Sequence, residues 1–195
     1  MKVIEAIAAF FAFLASLVSG IIFPGKNQGL IPVPPEVKTA SMYLTTEMSF
    51  PTIGGNLPID IKLSANGFKL SAAAIRVVYK YLGTLPLLAQ DADPFKEGIQ
   101  ARENSNLLEG GWVFPVNEII HDTTARLIMI DFAAVNLNPE GFSPSEELTL
   151  ATLDMQVASL APRLTFNFDK TQTKVISKDG GEVKLKLSPG EFAVR

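Results

Sequence analysis

The chain has 195 residues, a net charge of −3 and a hydrophobic fraction of 47%, a balance typical of a folded domain that does not bind nucleic acid. It contains no cysteine and a single histidine, His121, which together exclude a disulfide scaffold, a thiolate metal site and a multi-histidine zinc site. The familiar phosphate-binding and catalytic motifs do not occur. The sequence therefore predicts a protein that is not an enzyme.

Residues 1–23 are predicted to form one hydrophobic helix. No charged residue occurs from Ala6 to Phe23, a stretch that spans roughly 27 Å as a helix, close to the thickness of a bilayer core. Pro24 and Gly25 end it, because proline cannot continue the backbone ladder. Apolar residues occupy every face, so lipid or other protein must surround the helix. The residues expected to make these contacts are Phe10, Phe11, Phe13, Leu14, Leu17, Ile21 and Ile22.

Three interpretations of this segment remain open: a membrane anchor, a filament-core helix, and a secretory signal cleaved near Gly20. The opening MKVIEAIAAFFAFL resembles the mature N-terminus of a type IV pilin. In that family the helix packs into a filament core, and the resemblance implies that Glu5 pairs with the terminal amine of Met1 in a neighbouring subunit. Such pairing makes an anion in an apolar core tolerable.

The rest of the chain is predicted to be a tether followed by an all-β domain. Residues 24–38 are rich in proline and glycine, which is typical of a semi-rigid spacer. From residue 39 to 195, short apolar–polar alternations separated by turn residues predict a sandwich of about nine strands. The expected strands are 40–48, 57–65, 73–82, 110–116, 125–135, 148–157, 163–169, 181–188 and 191–195.

This domain resembles a cohesin domain over residues 38–195. The residues and range that carry the resemblance are Gly141, 150–157, Phe166, Phe168, Thr171, Thr173, Val175, Asp179 and Gly180. Upstream, the run IDIKLSANGFKLSAAAIRVVYKY is similar to the first pair of opposed cohesin strands. The resemblance implies a nine-stranded, jelly-roll-like sandwich related to carbohydrate-binding modules. It also implies a domain without catalytic activity that presents a sheet face or loops to another protein or to a glycan.

The most polar stretch, QDADPFKEGIQAREN, has alternating carboxylates at Asp91, Asp93 and Glu97. Carboxylate oxygens are the ligands that calcium prefers, so these residues are candidates for a calcium site. The stretch lacks the loop glycine and the final glutamate of an EF-hand. The alternative is a solvated insertion loop. No other cofactor is expected.

Trp112 is the only tryptophan and a candidate for stacking on a sugar ring. The alternative is a core residue, because a tryptophan supplies a large buried area. His121 is predicted to lie in a turn between strands, since Asp122 and two threonines follow it and such residues favour turns.

These features predict a non-enzymatic extracellular protein at the cell surface. The helix is expected to contact membrane lipid or identical subunits, and the cohesin-like sandwich to contact another surface protein or a glycan during adhesion. The alternative is a pilin-like structural subunit that polymerises through residues 3–23 into an extracellular filament. A soluble, secreted glycan-binding module would require cleavage near Gly20.

Overall fold

The computed structural model describes residues 39–48, 51–144, 147–161 and 163–194. The predicted helix at residues 1–23 and the predicted tether at residues 24–38 lie outside the described residues. So do the residues assigned to anchoring or assembly, which are Met1, Glu5, Phe10, Phe11, Phe13, Leu14, Leu17, Ile21 and Ile22. Within the described ranges, no helix has the length and apolar character needed to cross a bilayer.

In the described residues, twelve strands form two sheets packed face to face. The first sheet contains β1 (Ala40–Thr45), β2 (Asn56–Ser64), β4 (Leu87–Ala89), β5 (Arg102–Glu103), β8 (Leu148–Val157) and β11 (Leu185–Ser188). The second sheet contains β3 (Leu70–Lys80), β6 (Trp112–Asp122), β7 (Leu127–Asn136), β9 (Leu164–Phe168), β10 (Lys174–Ser177) and β12 (Gly190–Phe192). A short helix, α1 (Ser105–Glu109), precedes β6. The predicted all-β sandwich is confirmed.

The order of strands places β3 and β7 inside the second sheet. The first sheet runs β11–β1–β2–β8–β4, with β5 also paired to β8. The second runs β12–β9–β3–β7–β6, with β10 also paired to β3. Strands β1 and β11 are parallel, whereas β3 pairs antiparallel with β7, β9 and β10. Side chains on both sides of β3 and β7 therefore have neighbours on adjacent strands.

Strand β2 shows why these sequences form strands. Its apolar residues alternate with polar ones, which gives one buried and one outer face. The turn that follows uses Asn66 and Gly67, whose φ angles of +49° and +81° are ones that asparagine and glycine adopt most readily. The buried residues, each 0% exposed, are Leu57, Ile59, Ile61 and Leu63.

The predicted count of nine strands is too low, because β4, β5 and β10 were not predicted. Strands β4 and β5 have three and two residues, too few to show an alternation. They pair with β8, which follows them by about 50 positions or more. Strand β10 comes directly after the turn that ends β9 and pairs with the same neighbour, β3. Long-range pairing, rather than local pattern, forms these three strands.

The core lies between the sheets and contains a row of aromatic rings. The ring centroids are 6.3 Å apart for Tyr81 and Tyr79, 4.8 Å for Tyr79 and Phe166, and 6.0 Å for Phe166 and Phe192. Burial raises the pKa of Tyr79 to about 12, because the charged phenolate is poorly solvated there. The row joins β3, β9 and β12.

Candidate protein-binding face

The second sheet has one side on the core and one outer side. Residues alternate along a strand, and directly paired residues project to the same side. Ile75, Val77, Ile128 and Ile130 belong to the core, so the residues between them project outward. We call the outward surface of β3, β6, β7 and β10 the second-sheet face. Its members are Ala72, Ala74, Arg76, Val78, Val113, Val116, Glu118, Ile120, Met129, Asp131, Ala133, Val135, Lys174 and Ile176.

Alanines form the middle of the second-sheet face. Ala72, Ala74 and Ala133 are at most 3% exposed, yet they lie outside the core cluster. Ala133 is in register with Ala74 on β3 and with Val116 on β6. The middle of the face is therefore apolar but closed to solvent.

Two apolar rows cross the strands on either side of a charged row. In the first, Val135 is in register with Ala72 and with Val113, and Val113 is 40% exposed. In the second, Met129 is in register with Val78 and Ile120, and all three side chains are half-buried. The face thus offers aliphatic and thioether groups to a neighbour rather than charges.

The charged row between them contains a bidentate ion pair. The Nε of Arg76 donates to Oδ1 of Asp131 and its Nη2 donates to Oδ2, each at 2.6 Å. Arg76 is 8% and Asp131 1% exposed, and the hydrogen bonds to Asp131 raise the pKa of Arg76. Glu118, next to Asp131 in the register, is half-buried. The two buried charges cancel each other, so Glu118 carries the remaining charge of this row.

The turn between β9 and β10 fixes the backbone of Arg76. The amide N–H of Arg76 donates to Oγ1 of Thr173 at 3.2 Å, and the N–H of Asp169 donates to the carbonyl of Arg76 at 2.9 Å. The Asp169 carboxylate accepts from the Oγ1 and N–H of Thr171 at 2.7 and 2.9 Å. These hydrogen bonds continue the β3 pairing where β9 ends and β10 has not begun.

The outer side of the first sheet is polar by contrast. Thr152 donates to Asp60 at 2.7 Å across β2 and β8. Arg102 on β5 makes two hydrogen bonds to Asp154, at 2.9 and 3.0 Å. Leu88 on β4 is 43% exposed and is in register with Gln156. The outer sides of the two sheets therefore have opposite character.

The predicted insertion loop packs across one side of the sandwich. The Asn117 amide on β6 pairs with Ala101, accepting from its N–H and donating to its carbonyl, each at 2.8 Å. A side-chain amide here replaces the backbone groups of a strand partner. The same segment forms a bridge between Ile99 and Ile119, and its Phe95 is 98% exposed. It thus links β6 of the second sheet to β8 of the first.

The three calcium candidates lie in this segment, where two carboxylates accept backbone hydrogen bonds. Oδ1 of Asp91 accepts from the N–H of Gln100 at 3.0 Å, and Oδ1 of Asp93 accepts from the N–H of Phe95 at 3.2 Å. Oδ2 of Asp93 also lies 3.3 Å from Nζ of Lys96. Glu97 is exposed. In the part of the chain that the structure describes, no three acidic or histidine side chains converge on a metal position. Calcium binding stays an untested prediction.

Trp112 is 2% exposed and lies on the core side of β6. Its ring meets Phe142 edge-on, with centroids 5.7 Å apart. Stacking on a sugar requires an exposed ring face, which the buried indole does not provide. The structure therefore places Trp112 in the core, and we propose no glycan contact for it.

His121 lies within β6, so its predicted placement in a turn is wrong. The turn comes one position later than expected, after Asp122, whose carboxylate accepts from the N–H groups of Thr124 and Ala125. His121 projects at the edge of the core, where its Nε2 lies 2.8 Å from the Tyr81 hydroxyl. The polar residues noticed in the sequence belong to the turn, and His121 precedes it.

Solved structures with the same fold are cohesins. A type II cohesin from Bacteroides cellulosolvens has a TM-score of 0.60 and 13% identity, over 80% of this chain and 99% of that one. The chain has a cohesin-like fold. A type II cohesin from the cellulosome of Acetivibrio cellulolyticus also has a TM-score of 0.60, with 11% identity over 80% of this chain and 95% of that one. A chain of a type I cohesin–dockerin complex from Clostridium thermocellum has a TM-score of 0.54 and 11% identity, over 81% and 100%.

No protein-family model and no curated protein sequence matches the chain. The predicted cohesin-like sandwich is thus confirmed at the level of fold. Sequence reasoning missed the Arg76–Asp131 pair at the centre of its outer face. A signal was present: Asp131 is the single charge of β7, and Arg76 is the only charge of β3 before its last residue, Lys80, and has the opposite sign.

Proposed function

We propose that this chain is a non-enzymatic binding module whose second-sheet face docks another protein. The observation that carries the proposal is the character of that face: two apolar rows lie on either side of a charge pair that is already neutralised. A contiguous apolar surface on an otherwise folded domain marks an interaction site. Depletion of unpaired charge is typical of the buried centre of an interface.

The shape of the face fits a protein partner better than a small molecule. It is an open sheet surface that spans four strands, β10, β3, β7 and β6, rather than a cleft. A standard interface buries about 800 Å² on each partner. Met129 adds an adaptable side chain, because a thioether repacks at low cost. We expect the partner to present a complementary apolar patch to the side chains of the two apolar rows.

The relatives support a protein partner. Three of the similar chains come from complexes of cohesins with dockerins. The burial of Trp112 also removes the strongest candidate for glycan stacking. A protein ligand is therefore favoured over a carbohydrate, and adhesion through protein contact over adhesion through sugars.

We further infer that the protein works outside the cell, held at the surface by residues 1–23. The uncharged run has the length of a bilayer core, and cohesin-like relatives occur in cellulosomes and scaffoldins. Contact with identical subunits is the second candidate role for this segment. One feature favours this role: Glu5 is the only acidic residue in the apolar segment of residues 1–23. Its carboxylate needs a cationic partner when it is buried.

Two variants matched in exposure test the docking face. Val113→Asp places a charge at a 40% exposed position of the second-sheet face, and Leu88→Asp places one at a 43% exposed position of the first sheet. Proteins captured by the wild type from native surface extract are identified by mass spectrometry, purified, and titrated by calorimetry. We expect V113D to weaken binding by more than about tenfold, since burying an unpaired charge is costly, and L88D to bind normally. Equal affinities of wild type and V113D would refute the docking face.

The filament role has its own test. Electron microscopy of wild type and Glu5→Gln compares assembly, while circular dichroism checks that the sandwich stays folded. Filaments that the wild type forms and E5Q does not would establish subunit packing through Glu5. Single particles from both proteins would argue against subunit packing and leave membrane anchoring as the role of residues 1–23.

A further inference from the structure

Three loops at one end of the sandwich each expose one aliphatic side chain. Ile53, between β1 and β2, is 56% exposed; Leu82, between β3 and β4, is 93% exposed; and Leu160, between β8 and β9, is 66% exposed. The strand directions bring these loops to the same end, because Asn56 is in register with Gln156 at the end of β8. This end lies opposite the start of β1, where residues 1–38 join.

Backbone hydrogen bonds hold the three loops to one another. The N–H of Gly54 donates to the carbonyl of Val157 at 2.8 Å, and the N–H of Val157 donates to that of Gly55 at 2.9 Å. The N–H of Ala158 donates to the carbonyl of Pro86 at 2.8 Å. The aliphatic tips therefore project from a fixed base, and these loop backbone groups do not need water to satisfy them.

The loop segments around the three aliphatic side chains contain no charge. Residues 51–55, 81–86 and 157–161 include no aspartate, glutamate, lysine or arginine, although 19% of the whole chain is charged. They also lack exposed tryptophan, tyrosine and arginine, the residues that dominate protein–protein hot spots. Protruding aliphatic tips match a different surface, the boundary between lipid headgroups and acyl chains, where apolar side chains are stabilised by burial.

We propose that Ile53, Leu82 and Leu160 form a lipid-contacting tip that enters the headgroup region of a bilayer. This inference goes beyond docking at the second-sheet face and uses none of its residues. The chain length permits contact with the membrane that holds residues 1–23. Strand β3, with 11 residues, spans about 36 Å, whereas residues 24–38 reach at most about 50 Å. The sandwich can thus turn its distal end toward the anchor.

The charges behind the tip predict little preference between lipid headgroups. Lys80, Arg126 and Arg163 lie near this end, and Glu47, Asp122 and Glu191 balance them; all six are exposed. Opposite charges in equal number cancel the attraction to an anionic surface. Contact should therefore depend on the aliphatic side chains and respond weakly to salt.

Single-cysteine labelling tests the proposal in the full chain, which has no native cysteine. Leu160→Cys at the tip and Leu137→Cys at the opposite end are matched, because both leucines are 66% exposed. Each variant carries an environment-sensitive fluorophore and is reconstituted into phosphatidylcholine vesicles, with and without phosphatidylglycerol. We expect a blue shift and several-fold stronger quenching by spin-labelled lipid at position 160, alike in both lipids, and water-like emission at position 137.

Removing the other two tips completes the test. Ile53→Ser with Leu82→Ser should abolish the shift at position 160, whereas Val113→Asp on the second-sheet face should leave it unchanged. Water-like emission at both labels would overturn the lipid-contacting tip without affecting protein docking. Equal shifts at both labels would overturn it as well, since they would mean that the whole sandwich adheres to the vesicle.

Discussion

Each sheet has an arginine–aspartate pair on its outer side, and the two pairs differ in burial rather than in chemistry. In the second sheet, Arg76 meets Asp131 with side chains 9% and 2% exposed. In the first, Arg102 meets Asp154 with side chains 59% and 31% exposed. Both pairs are bidentate, and in both the hydrogen bond to the carboxylate raises the pKa of the arginine. The same contact is therefore shielded from water in the second sheet and exposed to water in the first.

The difference comes from the neighbours on each face. Apolar rows on β3, β6 and β7 flank Arg76 and exclude water from it, whereas β5 has only two residues and leaves Arg102 in solvent. A buried pair interacts strongly, but its ions lose hydration, while an exposed pair loses little and gains little. The buried pair thus makes β3 and β7 depend on each other in register. The exposed pair contributes little to the stability of β5.

The largest expected effect is that of breaking the buried pair. Arg76→Met should lower the free energy of unfolding by about 3–5 kcal/mol, because Asp131 would remain buried without a partner. Urea denaturation at neutral pH measures the change, and an unaltered slope would show that the folded state is still compact. A loss below about 1 kcal/mol would contradict the burial of this pair, since exposed pairs contribute that much.

The double variant Arg76→Met with Asp131→Leu separates the attraction between the two charges from the cost of burying them. Replacing both ions by apolar groups of similar size is commonly neutral, so we expect most of the stability lost in R76M to return. With Asp131→Leu alone, the three variants close a double-mutant cycle, which should report a favourable coupling of about 3 kcal/mol or more between the two side chains. A double variant as unstable as the sum of the single ones would mean that the two side chains act independently.

Local patterns predicted strand β2 of the first sheet better than they predicted the second-sheet face, for a physical reason. Strand β2 shows its buried residues as a local alternation, and Asn66–Gly67 marks its turn, so both were predictable. The contact of Arg76 with Asp131 depends on the register of strands 55 residues apart, which no local pattern records. The pairing of Asn117 with Ala101 is hidden for the same reason. The only local indication of the contact between Arg76 and Asp131 is that each is a charged residue inside an apolar strand.

A smaller effect concerns Asp169, which lies in the turn that fixes Arg76. Hydrogen bonding to Thr171 holds the pKa of Asp169 below its ordinary value, and the charge of Arg76 adds to this. A carboxylate with a lowered folded pKa stabilises the fold above its unfolded pKa of about 4 and loses that contribution as the pH falls through the folded value. Asp169→Asn should therefore cost at most about 1 kcal/mol at neutral pH.

The measurement is the free energy of unfolding of both proteins between neutral and acidic pH. The difference in the free energy of unfolding between wild type and D169N should disappear as the pH falls below about 4, because protonated aspartate and asparagine are then alike in charge. A gap that stays constant with pH would show that the Asp169 charge contributes nothing and that only the shape of the turn matters.

The smallest effect should come from the exposed pair, and it completes the comparison. Arg102→Met removes the same two hydrogen bonds as Arg76→Met, but water can solvate the Asp154 carboxylate that remains. We expect a loss of about 0–1 kcal/mol that fades further at high salt, because exposed charges are screened. Denaturation of both variants at low and high salt gives the answer. If R102M proved as damaging as R76M, burial would not be what distinguishes the two pairs, and β5 would hold the first sheet together through Asp154.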